Sequence, residues 1–352
     1  GDAVYDGKSH GLGEKVSENA SGFEYSSDGG ETWTKKAPSY SQVLYNDENK
    51  VTSYPVKVRA YFDYFLGKDY SNIVDANITI SPRPLEIKAA SEEFTYNGEP
   101  QKNSNYSYTL FDEKEQTGLL ENQIIESVKV KGIVTNVGEK VDNVASDAII
   151  KTKEGSLDTT KNYDITYVNG ILSVKPASYD KNTVTVKPST EVYDGEKHTV
   201  GEVETSVKDA EVYYSVDGKE WSKEKPTFTE KGDYTVYVQA RDKNYHDSKV
   251  FEAKVSITAR PITITADSEE RDYNGIALTS NKYTVSKDGL VKGQEIGSVE
   301  VVGSITNVGT AENTAKNARI VFGKDDTTDN YKIKYVNGIL KITPAEASKN
   351  AV

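Results

Sequence analysis

The residues of this chain that could do chemistry are few, and their spacing limits what they can do. The histidines are His10, His198 and His246. His10 and His198 sit at matching places in two copies of one motif, YDGKSH and YDGEKH, so they are not partners in one site. Neither a zinc centre nor a catalytic triad can be assembled from them. The 55 acidic residues offer many carboxylate pairs, but glycosidase chemistry also needs a cleft, and no repeat unit carries a large insertion to build one. Asp325, Asp326 and Asp329, or Asp242 with Asn244, match no fixed calcium-ligand spacing. The run from Ser26 through Asp28 and Thr32 to Trp33 fits S-x-D-x-G-x-T-W. In such a turn the carboxylate accepts backbone N–H bonds while the indole packs beneath. One full match, with a shortened counterpart at 215–221, predicts a structural hairpin. No catalytic, metal-binding or cofactor-binding residue is assigned, and no cofactor is expected. Aromatics are the remaining candidates. Tyr61, Phe62, Tyr64, Phe65 and Tyr70 place five rings in ten residues, more than one strand face can bury. Rings stack on sugars and anchor interfaces, so these five are the candidate ligand residues. Packing against a neighbouring unit is the competing reading.

The 352 residues carry a net charge of −12 with no run of Lys or Arg, which argues against a nucleic-acid partner. Cys is absent, which excludes disulfides and thiolate metal sites. No stretch is apolar enough for a signal peptide or membrane span. The 24 Tyr against 8 Phe suit strands buried on one side and wet on the other. The chain opens on Gly1 and reads as a segment of a longer protein, expected to be a monomer.

The elements that must position these residues come in repeats. A-type modules open at VYDGKSH and VYDGEKH, and Tyr5 to Tyr193 and Trp33 to Trp221 are each displaced by 188. B-type modules open at RPLEIKA and RPITITA and share a later TNVG turn. The order is A-B-A-B, with boundaries at 1–82, 83–178, 179–259 and 260–347, and 348–352 beginning a further unit. The first A module lacks a counterpart of the strand at 182–188, so the segment is expected to begin one strand into a module. Alternation predicts an all-β chain of four small β-sandwiches. The A type reads as immunoglobulin-like, with Tyr234 and Tyr54 as corner tyrosines. The B type reads as immunoglobulin-like or β-grasp-like, with a short helix at 118–125. The A-to-B joins, about three residues with a proline, leave no slack, and the expected shape is an elongated rod.

The most distinctive repeated stretch is NYDITYVNGILSVKPA at 162–177, which returns as NYKIKYVNGILKITPA at 330–345. An Asn-Gly pair between two alternating runs predicts a two-residue β-hairpin. Val168 would face Ile171, Tyr167 would face Leu172, and Ile165 would face Val174. Ile165, Tyr167, Leu172 and Val174 would share one apolar face.

The YDG and YNG openings, the TNVG turn and the closing YVNGILSVKPA together resemble the tandem MBG- and YDG-type β-modules of Gram-positive bacterial surface proteins. The S-x-D-x-G-x-T-W turn separately resembles the Asp-box of sialidase propellers, which need one per blade. The module resemblance implies a secreted, cell-wall-anchored, adhesin-like protein whose anchor lies outside this segment. It implies a non-catalytic stalk that presents an adhesive tip. The alternatives are modules that themselves bind host glycans or glycoproteins, or accessory modules of an extracellular carbohydrate-active enzyme. Such wall proteins also carry Lys–Asn isopeptide cross-links, for which both residue types are plentiful here.

Overall fold

The computed structural model describes residues 1–287 and 289–345. The proposed start of a further unit at 348–352 lies outside the described residues. The chain divides into two compact units, Gly1–Pro176 and Ala177–Val352. Each holds one A module and one B module. Among the described residues the only helical elements are three single 3-10 turns, at Thr160–Asn162, Tyr179–Lys181 and Thr328–Asn330. The chain is all-β.

In the second A module, Ser189–Val192, Phe251–Thr258, Gly232–Arg241 and Glu211–Ser215 form one sheet in that order. Ser189–Val192 pairs in parallel with Phe251–Thr258. Val184–Val186 pairs with Val203–Thr205 to cover its inner face. Along Gly232–Arg241 the buried residues are Val236, Val238 and Ala240, as alternation requires. The first A module repeats the main sheet with Asp2–Val4, Val74–Ser81, Tyr54–Tyr64 and Gly22–Ser26. It adds Gly67–Tyr70 as a hairpin arm on Tyr54–Tyr64. The corner tyrosines tie their turns back: Tyr234 Oη donates to Glu230 O at 2.9 Å, and Tyr54 Oη to Gln42 O at 2.9 Å.

The B modules are two-sheet sandwiches, so the β-grasp alternative fails. That fold needs a helix on its sheet, and the described residues of neither B module supply one. The helix expected at 118–125 is also absent. Gly118 sits at φ +80°, and a Cβ there would lie 1.9 Å from Leu110 O. The chain turns and enters the strand Gln123–Lys131. In the first B module one sheet is Tyr106–Tyr108, Arg83–Ala89 and Tyr163–Val168. The other is Glu92–Thr95, Gly170–Lys175, Lys140–Thr152 and Gln123–Lys131. The second B module repeats both.

The Asn-Gly hairpin does not form. Tyr163–Val168 pairs in parallel with Arg83–Ala89, while Gly170–Lys175 pairs in parallel with Glu92–Thr95 and antiparallel with part of Lys140–Thr152. The two runs belong to different sheets, and the chain steps from one to the other between them. Neither Asn169 nor Gly170 takes the positive φ of a hairpin turn. Glycine is needed for a different reason. A Cβ on Gly170 would lie 2.2 Å from Ala90 O, because residues 89–92 make the same crossing alongside. Gly338 meets Ala266 O at 2.4 Å in the second copy. Asn169 Nδ2 donates to Asp142 Oδ2 at 3.2 Å, and Asn337 Nδ2 to Glu312 Oε2 at 3.0 Å. The four inward residues therefore divide. Ile165 and Tyr167 pack into the core that holds Leu85 and Ile87, while Leu172 and Val174 pack with Val134 and Phe94. Gly170→Ala is expected to cost the first unit about 1–3 kcal/mol, because backbone oxygens cannot step aside. Denaturant unfolding checks this, and a loss near zero would show that the crossing is loose.

Candidate functional site

Two places gather the motif residues, and the first is the aromatic hairpin of the first A module. Tyr61 is buried, with Lys35 Nζ 4.6 Å and Lys68 Nζ 4.3 Å from its ring centre. Phe62 is half-buried. Tyr64 is 63% exposed, and Phe65 and Leu66 at the tip are fully exposed. Tyr70 stacks on the Arg59 guanidinium at 3.8 Å, and Trp33 lies on the same group at 4.1 Å. Arg59 Nη2 also donates to Glu24 Oε2 at 2.8 Å. That bond to Arg59 is the main reason the Glu24 carboxyl is held below its ordinary pKa. The hairpin therefore brings Tyr64 and Phe65 to an exposed tip, holds Tyr70 at its base and leaves Tyr61 opposite Tyr70 on the outer face, where Lys35 and Lys68 cover its ring. Leu66, Trp33 and Arg59 escape a search for aromatic runs. Alternation from Tyr61 could have found Arg59, which lies two residues before it on the same face.

The S-x-D-x-G-x-T-W turn positions Trp33. Ser26 Oγ donates to Asp28 Oδ1 at 2.6 Å, Thr32 N donates to the same carboxylate at 3.0 Å, and Trp33 Nε1 donates to Gly30 O at 3.2 Å. Its counterpart Asp217 accepts from Lys219 N at 2.8 Å and Glu220 N at 2.9 Å. These backbone bonds and Ser215 lower its pKa to about 2, and the Ser26 and Thr32 bonds lower Asp28 further. A carboxylate depressed in the fold contributes stability above its ordinary value of 3.8 and loses it as pH falls through the folded value. The Tm of both units is therefore expected to fall between about pH 4 and pH 2. Asp28→Asn with Asp217→Asn should remove part of that fall, and an unchanged melting profile in the double variant would refute the assignment.

The second place is the joint inside each A–B pair, where the repeated motifs meet. Tyr5 of YDG is buried with its ring edge against Tyr163, centroids 5.7 Å apart. Tyr5 Oη accepts from Gln123 Nε2 at 2.7 Å, and Tyr163 Oη donates to Gln123 Oε1 at 2.7 Å. Burial pushes both phenols up. Arg83 of the RP opening is 2% exposed. It donates to Gly118 O at 2.9 Å, to Asp112 O and Thr117 O at 2.7 Å, and to Tyr5 O at 3.4 Å. Burial lowers its pKa. Asn162 Oδ1 accepts from Val43 N at 2.8 Å, so NY also reaches back into the A module. The second pair repeats the set. Tyr193 meets Tyr331 at 5.6 Å, Gln294 Nε2 donates to Tyr193 Oη at 2.8 Å, Arg260 donates to Gly289 O at 3.0 Å, and Asn330 Oδ1 accepts from Lys231 N at 2.7 Å. Asn330 also bonds Glu230.

The remaining titratable candidates have local roles. His10 Nε2 lies 2.8 Å from Asp6 Oδ1, and His198 from Asp194 likewise, closing the two YDG turns. His246 contributes its backbone N–H to Ala177 O at 2.9 Å. Asp326 pairs with Arg319 at 2.7 Å, and Asp242 Oδ1 accepts from Asn244 N at 2.8 Å. Among the described residues no three or more His, Asp or Glu gather to hold a metal ion. No described lysine is buried, and an isopeptide bond would require one beside its asparagine. No described helix is long and apolar enough to cross a membrane.

No family model and no curated protein matches the chain, so the MBG- and YDG-type resemblance stands on the motifs themselves. Solved structures give distant likenesses. Drosophila N-cadherin EC1-4 is 9% identical, covers 97% of this chain and 98% of its own, and has a TM-score of 0.22. Mouse protocadherin-24 EC1-3 is 12% identical, covers 73% and 96%, and has a TM-score of 0.26. The fibronectin(III)-like modules of Clostridium thermocellum CbhA are 16% identical, cover 48% and 90%, and have a TM-score of 0.20. At these scores the likeness carries no argument about site or function.

Proposed function

We propose that this chain is a non-catalytic repeat segment of an extracellular, wall-anchored bacterial surface protein, acting as a stiff stalk that presents an adhesive tip. The observation that carries this reading is the joint. In each pair a buried tyrosine from the A module enters the B module, where an arginine and a glutamine hold it. The connection itself has almost no length: Val74–Ser81 is followed by Arg83–Ala89 after one residue, and Phe251–Thr258 by Arg260–Ala266 after one. Modules locked in this way transmit force without bending at the join. Small-angle scattering from the whole chain is the test. An elongated particle is expected, and a compact one would overturn the stalk.

A second reading, that the modules bind a host glycan or glycoprotein, draws on the hairpin tip. The corresponding stretch of the second A module has no such aromatic tip. Exposed rings at a projecting turn suit stacking on sugars or seating in a partner's pocket. Tyr64→Ser with Phe65→Ser should leave Tm unchanged and weaken binding to mucin or an arrayed glycan about tenfold or more. Equal binding by the double variant would remove the tip from the site.

A further inference from the structure

Asn-Gly occurs four times in the chain, at 97–98, 169–170, 274–275 and 337–338. Such a pair carries its own reaction: the glycine nitrogen can add to the asparagine Cγ, and glycine has no side chain to hinder the approach. The pairs fall at two places, each present once in each B module, and the two places treat this chemistry oppositely. At the crossing between sheets the fold resists it. Gly170 and Gly338 are buried, and each opens a strand that is paired on both sides. The carbonyls of Ala90 and Ala266 press on them from the neighbouring chain. The amides of Asn169 and Asn337 are tied to Asp142 and Glu312. Ring closure here requires the strand to open first.

At the two YNG turns the fold favours it. Asn97, Gly98, Asn274 and Gly275 are all exposed. Gly98 and Gly275 take φ of +85° and +77°, and a Cβ built on either would meet no atom within 4 Å. Asn97 Oδ1 accepts from Glu99 N at 2.9 Å, and Asn274 Oδ1 from Ile276 N at 3.0 Å. Each bond folds the carboxamide back over the peptide that follows it, the one whose nitrogen must attack. It also gives the carbonyl oxygen a donor as negative charge develops there.

We propose that Asn97 and Asn274 are self-modification sites, where each B module converts a side-chain amide to a carboxylate. The Gly98 nitrogen loses its proton to solvent base and forms a bond to Asn97 Cγ. The Cγ–Nδ2 bond breaks, and Nδ2 takes a proton from solvent and leaves as ammonia. Water then opens the cyclic imide at one carbonyl or the other, giving aspartate or isoaspartate. Gly275 and Asn274 repeat the sequence, and no oxidant, reductant or cofactor is needed. Each event adds one negative charge at the same turn of each B module, and isoaspartate lengthens the backbone of that turn by one carbon. The charge of the chain thereby records its age.

The test incubates the whole chain in mildly alkaline buffer and follows each site by peptide mapping with mass spectrometry, beside a sample held unfolded in urea. In the folded chain Asn97 and Asn274 are expected to give paired aspartate and isoaspartate products. Asn169 and Asn337 should convert about tenfold more slowly or less, because their strands must open before the ring can close. In urea the four sites should react at similar rates, since each asparagine precedes the same residue. Equal rates at all four sites in the folded chain would overturn the proposal, as would intact Asn97 and Asn274 in a folded chain whose unfolded form reacts. A difference that persists in urea would place the cause in local sequence and would also overturn it.

Discussion

Tyr5→Ala is expected to destabilise the first unit by about 3–5 kcal/mol, the range for emptying a large buried aromatic site. Tyr5 is 2% exposed and spans the two modules of its pair. Its removal opens a cavity against Tyr163 and Leu120, and leaves the buried Gln123 amide without the oxygen it donates to. Tyr5→Phe keeps the ring and removes only that oxygen, so a smaller loss of about 1–3 kcal/mol is expected. Tyr193→Ala should act in the same way on the second unit, where Gln294 holds the equivalent hydroxyl. Denaturant unfolding with a probe in each module provides the check. A loss below about 1 kcal/mol for Tyr5→Ala would mean that the joint is not a shared core.

The second large effect is expected from Arg83→Met, at about 3–5 kcal/mol by analogy with breaking a buried charged interaction. The guanidinium is satisfied by carbonyls from three places: Tyr5 of the A module, Asp112 and Thr117 of one turn, and Gly118. Methionine fills much of the volume but leaves those oxygens without donors. Arg83→Lys should rescue little, since one ammonium cannot reproduce the planar fork. The segment from Asp112 to Gly118 is expected to become protease-sensitive in both variants. Arg260 makes the matching bonds to Gly289 and Tyr193 but is less buried, so Arg260→Met should cost less. Equal losses at the two positions would argue that burial of the charge is not the cause.

Much of this architecture is legible in the sequence, because strand alternation writes burial directly into residue order. Val236, Val238 and Ala240 face inward as strand alternation requires, and Tyr234 and Tyr54 tie their corners as the sequence predicts. The Asn-Gly pair gives a false hairpin signal for a physical reason. Glycine serves a left-handed turn and a close backbone approach equally well, and only the neighbouring chain at 89–92 separates the two. The Asp-turn could be read as structural because its bonds are local. The joint could not. YDG, RP and NY lie as far as 158 residues apart in one pair, from Tyr5 to Tyr163, and no local pattern says that they meet. Within the aromatic run, exposure turns on the register of one hairpin: Tyr61, opposite Tyr70, is covered by Lys35 and Lys68, while Tyr64 and Phe65 fall at the tip.

The central claim is that each A–B pair behaves as one mechanical body. Native-state hydrogen exchange on the whole chain tests it most directly. Core amides of Tyr54–Tyr64 and Val74–Ser81 should open together with those of Arg83–Ala89 and Tyr163–Val168, at one common free energy and with one denaturant dependence. An A module that opens at distinctly lower free energy while its B module stays protected would contradict the account.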